Sequence, residues 1–159
     1  MNETKQKGLI TEIQCELAFS KLGILLSKPI VEDSRYDYLA DLKGKIIRIQ
    51  CKTCSVAEDE SYIEFAARSC RINSEGTYSR NYNKSEIDYF YTFYKNQSYL
   101  IPVEECSTSK KLHFGFSTKN GQIKNISFAK DFELSKILQE RENFNFFQNW
   151  QINILTKIK

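Results

Sequence analysis

The chain has 159 residues, of which 41% are hydrophobic and 27% charged, and its formal net charge at pH 7 is +3. These values are ordinary for one soluble globular domain, and they exclude collagen-like, long coiled-coil and low-complexity proteins. No stretch approaches the roughly 18 apolar residues of a transmembrane helix, and the first residues lack the apolar core of a secretory signal. We therefore expect a cytoplasmic protein with no membrane partner.

The five cysteines and the single histidine limit the chemistry. An odd number of cysteines without an export signal predicts reduced thiols. Cys51 and Cys54 have CxxC spacing, but no second pair accompanies them, so buried thiols are favoured over a zinc site. One histidine, His113, argues against Ser-His-Asp hydrolases and against nucleases with several histidines. Carboxylates, lysines and amides remain as candidate functional groups.

The first predicted element is a helix over residues 6–22, followed by Gly23, which suits the left-handed position after a helix. The apolar residues at helical spacing, which predict its buried stripe, are Ile10, Ile13, Leu17 and Ala18. Strands are predicted over residues 24–26, 35–41, 46–53, 62–67, 89–94, 98–101 and 111–116, and a second helix over 132–139. A long polar loop is expected over residues 69–84, and long loops in compact domains are often functional.

The two strands at 35–41 and 46–53 form a predicted hairpin around a turn at 42–45. Side chains on a strand alternate between its faces. In the second strand one face carries Ile47, Ile49 and Cys51, and the other carries Arg48, Gln50 and Lys52. We expect the first face to pack in the core and the second to present polar groups.

Positive charge is concentrated in two stretches, residues 68–84 and 106–130, and the second contains five lysines and no acid. Such stretches are either solvated surface or contacts to nucleic-acid phosphates. The candidate DNA contacts are Arg48, Arg68, Arg71, Arg80, Lys84, Lys110, Lys111, Lys119 and Lys124.

One set of residues is chemically coherent for phosphodiester hydrolysis. Glu12 lies on the first helix, Asp37 on the first hairpin strand, and Gln50 and Lys52 on one face of the second. Oxygen ligands of this kind suit Mg²⁺, with Asp37 as principal ligand, Gln50 Oε1 and the Cys51 carbonyl as neutral ligands, and Glu12 acting through water or a second metal. Lys52 would position the attacking water or stabilise charge in the transition state. The spacing alone, however, favours an ordinary surface hairpin.

Three segments of the chain resemble the core motifs of PD-(D/E)XK nucleases. Lys7-Gly8-Leu9-Ile10-Thr11-Glu12 resembles the helix that opens the core, Tyr36-Asp37-Tyr38-Leu39 its acidic strand, and Ile49-Gln50-Cys51-Lys52-Thr53 its (E/Q)-x-K strand. Later segments, at residues 64–69, 85–90, 99–103 and 119–133, resemble group I intron-encoded homing endonucleases with this core.

The resemblance implies a mixed α/β (α+β) fold with a PD-(D/E)XK restriction-endonuclease-like core, in which helices flank a central mixed sheet. We expect a single domain over 1–159, with its core at about 6–103 and a basic C-terminal extension over 104–159 for DNA contact or oligomerisation. The implied function is site-specific double-strand DNA cleavage in intron homing, by a homo-oligomer (dimer or tetramer) near the nucleoid. Catalysis would rest on Glu12, Asp37, Gln50 and Lys52 with Mg²⁺, for which Mn²⁺ substitutes, and with no small-molecule cofactor.

The sequence departs from the family pattern at two positions. Tyr36 replaces the proline of the family name, and Gln50 replaces the commoner acid, which removes a negative charge from the metal site. The alternatives are a structure-specific nuclease such as a Holliday-junction resolvase, a restriction-type endonuclease, and a DNA-binding protein that has lost catalysis.

Overall fold

The computed structural model describes residues 2–31, 33–74, 76–115 and 126–139. Within these ranges the first helix is α1 (Glu3–Lys21), and residues 134–139 are helical as well. The strands are β1 (Leu26–Ser27), β2 (Tyr38–Leu42), β3 (Lys45–Cys51), β4 (Ser55–Val56), β5 (Tyr62–Ala66), β6 (Arg68–Asn73), β7 (Gly76–Asn81), β8 (Tyr89–Tyr94), β9 (Gln97–Pro102) and β10 (Ser109–His113). Short 3₁₀ turns cover Val103–Glu105 and Ala129–Asp131.

The central sheet has five strands in the order β1-β2-β3-β8-β9. Strands β3 and β8 are parallel, and the other neighbours in this sheet are antiparallel. A second, antiparallel sheet has the order β10-β5-β4. The predicted mixed α+β architecture is therefore confirmed.

Two apolar layers cover the faces of the central sheet. On one face, Phe19 of α1 packs with Ile47, Ile49 and Tyr91, and Leu134 of the last helical segment joins them. On the other face, the second sheet buries a further set, Ile63, Phe65, Phe90, Ile101 and Leu112. Strand β8 supplies aromatic side chains to both layers, as expected for a strand that is covered on both faces.

Helix α1 buries a different stripe from the predicted one. Its buried residues are Thr11, Cys15 and Phe19, whereas Ile10 and Ile13 are 46% and 51% exposed. Thr11 is accommodated in the interior because its hydroxyl donates to the Lys7 carbonyl at 3.0 Å. Spacing of apolar residues alone missed a stripe that includes a satisfied hydroxyl and a thiol.

The start of α1 also differs from the prediction. The helix begins at Glu3 because the Asn2 side chain accepts a hydrogen bond from the Lys5 amide at 2.9 Å, an N-cap that satisfies one of the first free N–H groups. It ends before Gly23, whose φ of +71° confirms the predicted left-handed residue.

The predicted loop over residues 69–84 is wrong for most of its length. Strands β6 and β7 pair over six residues each and form a two-stranded ribbon. Every described side chain of β7 is exposed, so the ribbon lacks the apolar alternation by which a strand is recognised in a sequence.

The predicted hairpin is present as β2 and β3. A two-residue turn connects the strands, with positive φ at both Lys43 (+56°) and Gly44 (+91°), as in the common tight hairpin turns. The other predicted strands differ from the observed ones by a few residues at their ends. Residues 116–125 and 140–159, with Lys119, Lys124 and the aromatic segment 144–150, lie outside the described residues. Within the described ranges no helix is long and apolar enough to cross a membrane.

Candidate active site

Asp37 lies immediately before β2 and faces the end of β3. Its backbone amide donates to the Ile49 carbonyl at 2.8 Å. Its carboxylate oxygen Oδ2 accepts hydrogen bonds from Gln50 Nε2 and from the Cys51 amide, each at 2.6 Å. The hairpin register thus brings Asp37, Gln50 and Cys51 to one point, as the sequence predicted.

The charged form of Asp37 is poorly stabilised where it lies. Burial raises the pKa of its carboxyl from 3.8 to about 6, and the negative charge of Glu12 contributes to the rise. The Cys51 and Gln50 hydrogen bonds and the positive charge of Lys52 oppose it without cancelling it. A buried carboxylate in this condition gains strongly from a cation placed beside it.

The part of α1 that carries Glu12 and Glu16 is held against β2 by Tyr38. The Tyr38 hydroxyl donates to Glu16 Oε1 at 2.6 Å and to the Glu12 carbonyl at 3.3 Å. Lys28 Nζ lies 2.9 Å from Glu16 Oε1 and 3.8 Å from Glu12 Oε2. The pKa of Glu16 is lowered by its bonds to Tyr38 and Lys28. Glu16 therefore anchors the helix to the sheet, while the Glu12 carboxylate lies farther from the same lysine.

The donor set fits a hard divalent cation. Two carboxylates (Asp37 and Glu12), the Gln50 amide and the Cys51 carbonyl are oxygen ligands of the type that Mg²⁺ takes, and Mg²⁺ needs few of them because it keeps several waters. Among the described residues no group of three His, Cys, Asp or Glu side chains could hold a metal, so the neutral ligands matter. Gln50 here presents its amide nitrogen to Asp37, and its oxygen can face a cation only when the amide turns over.

Lys52 directly follows β3. Its amide donates to the Tyr91 carbonyl at 2.8 Å, which fixes its backbone to β8. Its ammonium donates to the Arg68 carbonyl at 3.1 Å and lies 4.9 Å from the centre of the Tyr82 ring. Burial lowers the pKa of Lys52, while the charge of Asp37 raises it. Lys52 is therefore close enough to Asp37 for their charges to interact.

A group of residues beside Lys52 was not predicted from the sequence. The Arg35 guanidinium lies 3.9 Å from the centre of the Tyr82 ring and donates to Glu86 through Nε at 3.1 Å and to Ser69 Oγ at 2.8 Å. The partners are 34 to 51 residues from Arg35 in the chain. No local pattern reports such contacts, and the only available signal was the position of Arg35 two residues before Asp37.

Two of the predicted DNA contacts, Arg48 and Lys110, are at least half-buried and hydrogen-bonded within the protein. Arg48 donates to both Asp88 carboxylate oxygens, at 3.1 and 3.3 Å, and to the carbonyls of Lys84 and Ser85. Lys110 is 9% exposed and donates to Glu105. These bonds occupy donors that a phosphate contact would need.

The remaining predicted contacts are more accessible. Arg80 and Lys84 are exposed and form ion pairs with Glu86 and Glu104. Arg68 and Lys111 are also exposed. The side chain of Arg71, like Lys119 and Lys124, lies outside the described part of the structure. These DNA contacts stay predictions.

A cleft of about 580 Å³ is lined by Thr53, Cys54 and Ser55, the residues that follow Lys52. It is also lined by the cationic side chains Lys7 and Arg68, together with Glu64. The Thr11 and Thr53 hydroxyls are 3.0 Å apart and join α1 to the segment after β3 at its edge. The cleft therefore lies beside the segment that follows Lys52, with two cationic side chains in its lining.

A mixed sheet with an acidic residue before one hairpin strand and a Gln-x-Lys at the end of the other is the core of a known class of nucleases. The family model for PD-(D/E)XK endonucleases matches residues 2–135, and the chain belongs to this family. It is accordingly an endonuclease with DNA as its substrate.

Among solved structures, the chain is similar to the bacterial homing endonuclease I-Ssp6803I. The two share 21% sequence identity with a TM-score of 0.69, over 89% of this chain and 97% of that one. This likeness confirms the fold that the sequence motifs implied. No curated protein sequence matches the chain.

Proposed function

We propose that this protein is a site-specific, metal-dependent endonuclease that cuts both strands of duplex DNA, in the manner of a homing endonuclease. The observation that supports this most is the buried Asp37 carboxylate, whose charge is poorly compensated and which lies among further oxygen ligands and beside Lys52. Mg²⁺ is the proposed metal, with Mn²⁺ as a substitute. DNA as substrate would place the protein at the nucleoid in the cytoplasm.

Each residue of the site has a distinct task in this proposal. Asp37 and Glu12, with Gln50 and the Cys51 carbonyl, would hold the cation, which polarises a phosphate oxygen and offsets the charge that develops on it. The ammonium of Lys52 would hydrogen-bond the attacking water and stabilise the negative charge in the transition state. Tyr38 keeps the Glu12 turn of α1 against β2, so that the two carboxylates stay together.

The cleft beside Thr53 is the proposed path of the DNA backbone. Lys7 and Arg68 supply positive charge there. Glu64, which also lines the cleft, accepts a hydrogen bond from Ser109 at 2.7 Å and lies 3.7 Å from Lys111 Nζ. Binding that depends on such phosphate contacts weakens as the salt concentration rises.

A double-strand cut also bears on the oligomeric state. One Asp37 site cuts one strand at a time, and the two strands of a duplex are related by approximate twofold symmetry. We therefore propose a homo-oligomer, a dimer or a tetramer, on a pseudo-palindromic target. Sedimentation of the protein–DNA complex checks this, and a stable monomer that cuts both strands would contradict it.

The proposed activity is tested by incubating the protein with a library of supercoiled plasmids, in Mg²⁺ and in EDTA. Lys52→Ala removes the ammonium, and Lys45→Ala is the matched control because Lys45 is an exposed lysine at the other end of the same strand. Linear product at discrete sites is expected with Mg²⁺, and it should be lost in EDTA and in Lys52→Ala but kept in Lys45→Ala.

Other results would replace the proposal. Cleavage of a synthetic four-way junction without cleavage of any plasmid would assign a junction-resolving nuclease. Tight duplex binding in Mg²⁺ with no product from either substrate would assign a DNA-binding protein that has lost catalysis. Full activity in EDTA would refute the metal dependence.

A further inference from the structure

The β6–β7 ribbon projects from the nuclease core instead of packing in it. Its strands pair with each other and, within the described residues, with no third strand. The described side chains of both strands are exposed, except for half-buried Ser69 near the base. By sequence the two strands contain three arginines and no acidic residue. An unpacked ribbon of this kind contributes little to the core and leaves its side chains accessible.

The base of the ribbon is attached to the catalytic apparatus by Arg35. Its guanidinium reaches both strands, donating to Ser69 Oγ of β6 at 2.8 Å and to the Asn81 carbonyl of β7 at 3.2 Å. The Arg68 carbonyl of the ribbon accepts the Lys52 ammonium at 3.1 Å. The ribbon therefore has a defined direction relative to Lys52, and whatever it contacts lies at a set distance from the scissile phosphate.

The two faces of the ribbon are not equivalent. Ser69 and Arg80, paired across the strands, lie on the face that contacts Arg35 and Glu86. Ser79, which is paired with Cys70, and Thr77 lie at alternate positions, on the opposite face, and both are exposed. This outer face offers hydroxyl groups that both donate and accept hydrogen bonds, and the Thr77 methyl group.

We propose that the ribbon enters the major groove of the target duplex and that Thr77 and Ser79 read base edges there. The inference rests on the proposed function, whose substrate is duplex DNA. A two-stranded ribbon fits the major groove, about 12 Å wide, whereas the minor groove is only about 6 Å wide. Hydroxyl groups recognise base donors and acceptors, and methyl groups contact the methyl of thymine.

The length of the ribbon limits how far from the cut it can contact bases. Six residues of a strand span about 20 Å, which equals the rise of about six base pairs of DNA. Because the base of the ribbon lies at Lys52, the bases read by Thr77 and Ser79 lie within about six base pairs of the cut.

The test is a selection of bound duplexes from a random library by the full chain in EDTA, with cleavage of the selected duplexes measured separately. The double variant Thr77→Ala/Ser79→Ala is compared with the wild type and with Ser107→Ala, an exposed serine after the Val103–Glu105 turn. At one or two base pairs near the cut, the preference of the double variant for the selected base over the others should be about tenfold lower than that of the wild type. Ser107→Ala should keep the wild-type preference. Identical base preferences in the double variant and the wild type would overturn the proposal.

The groove is checked with modified bases at the affected positions. Replacing guanine by 7-deazaguanine or thymine by uracil removes major-groove groups and should weaken the wild type but not the double variant. Weakening only by inosine, which lacks the minor-groove amino group, would overturn the major-groove assignment. A wild type that selects a sequence without cutting it would contradict the proposed nuclease activity and leave the ribbon assignment standing, whereas selection of no sequence would refute both.

Discussion

The ammonium of Lys52 lies 4.9 Å from the centre of the Tyr82 ring. Arg35 lies 3.9 Å from the centre of the same ring, which also meets Phe90 edge-on at 5.4 Å. The ring is thus fixed by the core and by a guanidinium, and it gives a flexible lysine side chain a defined position. A cation near an aromatic ring gains about 0.5–2 kcal/mol, depending on its desolvation.

Replacing Tyr82 should therefore affect catalysis more than DNA binding. Tyr82→Leu is expected to reduce kcat by about three- to thirtyfold with little change in KM, because the ring positions Lys52. Tyr82→Phe keeps the ring and should retain most of the activity. Single-turnover cleavage and DNA titration separate the two quantities. Equal losses in the Leu and Phe variants would show that the hydroxyl matters and that the ring does not.

Replacing Asp37 by asparagine should abolish cleavage and stabilise the fold. The pKa of Asp37 is raised above its ordinary value, so ionised Asp37 destabilises the metal-free protein above pH 6, and this penalty vanishes as the pH falls below 3.8. Asp37→Asn should raise the free energy of unfolding in EDTA by about 1–3 kcal/mol at neutral pH.

Urea unfolding near pH 7 and near pH 4 checks this expectation. The difference in the free energy of unfolding between Asp37→Asn and the wild type should shrink at the lower pH. There the carboxyl of the folded wild type is protonated and no longer carries a buried charge. A variant that is less stable than the wild type at neutral pH would show that the Asp37 carboxylate is well stabilised without a metal.

At limiting Mg²⁺, the cleavage rate should decrease as the pH is lowered through the pKa of Asp37. The carboxyl of the metal-free protein titrates at about 6, and only its ionised form binds a cation. One pH unit below this pKa about a tenth of the molecules are ionised, so the rate should fall by about tenfold there. Saturating Mg²⁺ should move the midpoint to lower pH. A rate at limiting Mg²⁺ that is the same at pH 5 and pH 7 would contradict this coupling.

Because Gln50 is neutral, we expect the candidate active site to bind its metal weakly. Gln50→Glu adds a negative ligand and is expected to lower the Mg²⁺ concentration for half-maximal cleavage by about tenfold. In EDTA the same variant should be less stable than the wild type, because it places a second carboxylate against Asp37. Metal titration of cleavage and unfolding in EDTA report the two effects. An unchanged Mg²⁺ requirement would exclude Gln50 as a metal ligand.

Substitutions on the buried face of α1 should reduce the free energy of unfolding more than substitutions on its exposed face. Phe19→Ala should cost about 3–5 kcal/mol, because the side chain is completely buried between α1 and the sheet. Ile10→Ala should cost about 1 kcal/mol or less, because nearly half of its surface is exposed. Urea unfolding of the two variants tests this, and a larger loss for Ile10→Ala would restore the stripe predicted from the sequence.

Much of the site could be predicted because its residues are close in the chain or lie on one regular element. Gln50 and Lys52 share a strand face by period alone, and a tight hairpin around Gly44 brings Asp37 opposite the end of that strand. The later β8 and β9 were recognisable because strands buried in the core must be apolar.

The sequence by itself thus determined the nuclease core, its four candidate catalytic residues and their order along the chain. Only the tertiary structure decided the rest, because long-range packing has no local period. It selected Thr11, Cys15 and Phe19 as the buried face of α1, and it brought Arg35 and Tyr82, 47 residues apart, to Lys52. It also turned a polar stretch into the β6–β7 ribbon, since strands held by backbone hydrogen bonds in solvent need no apolar pattern.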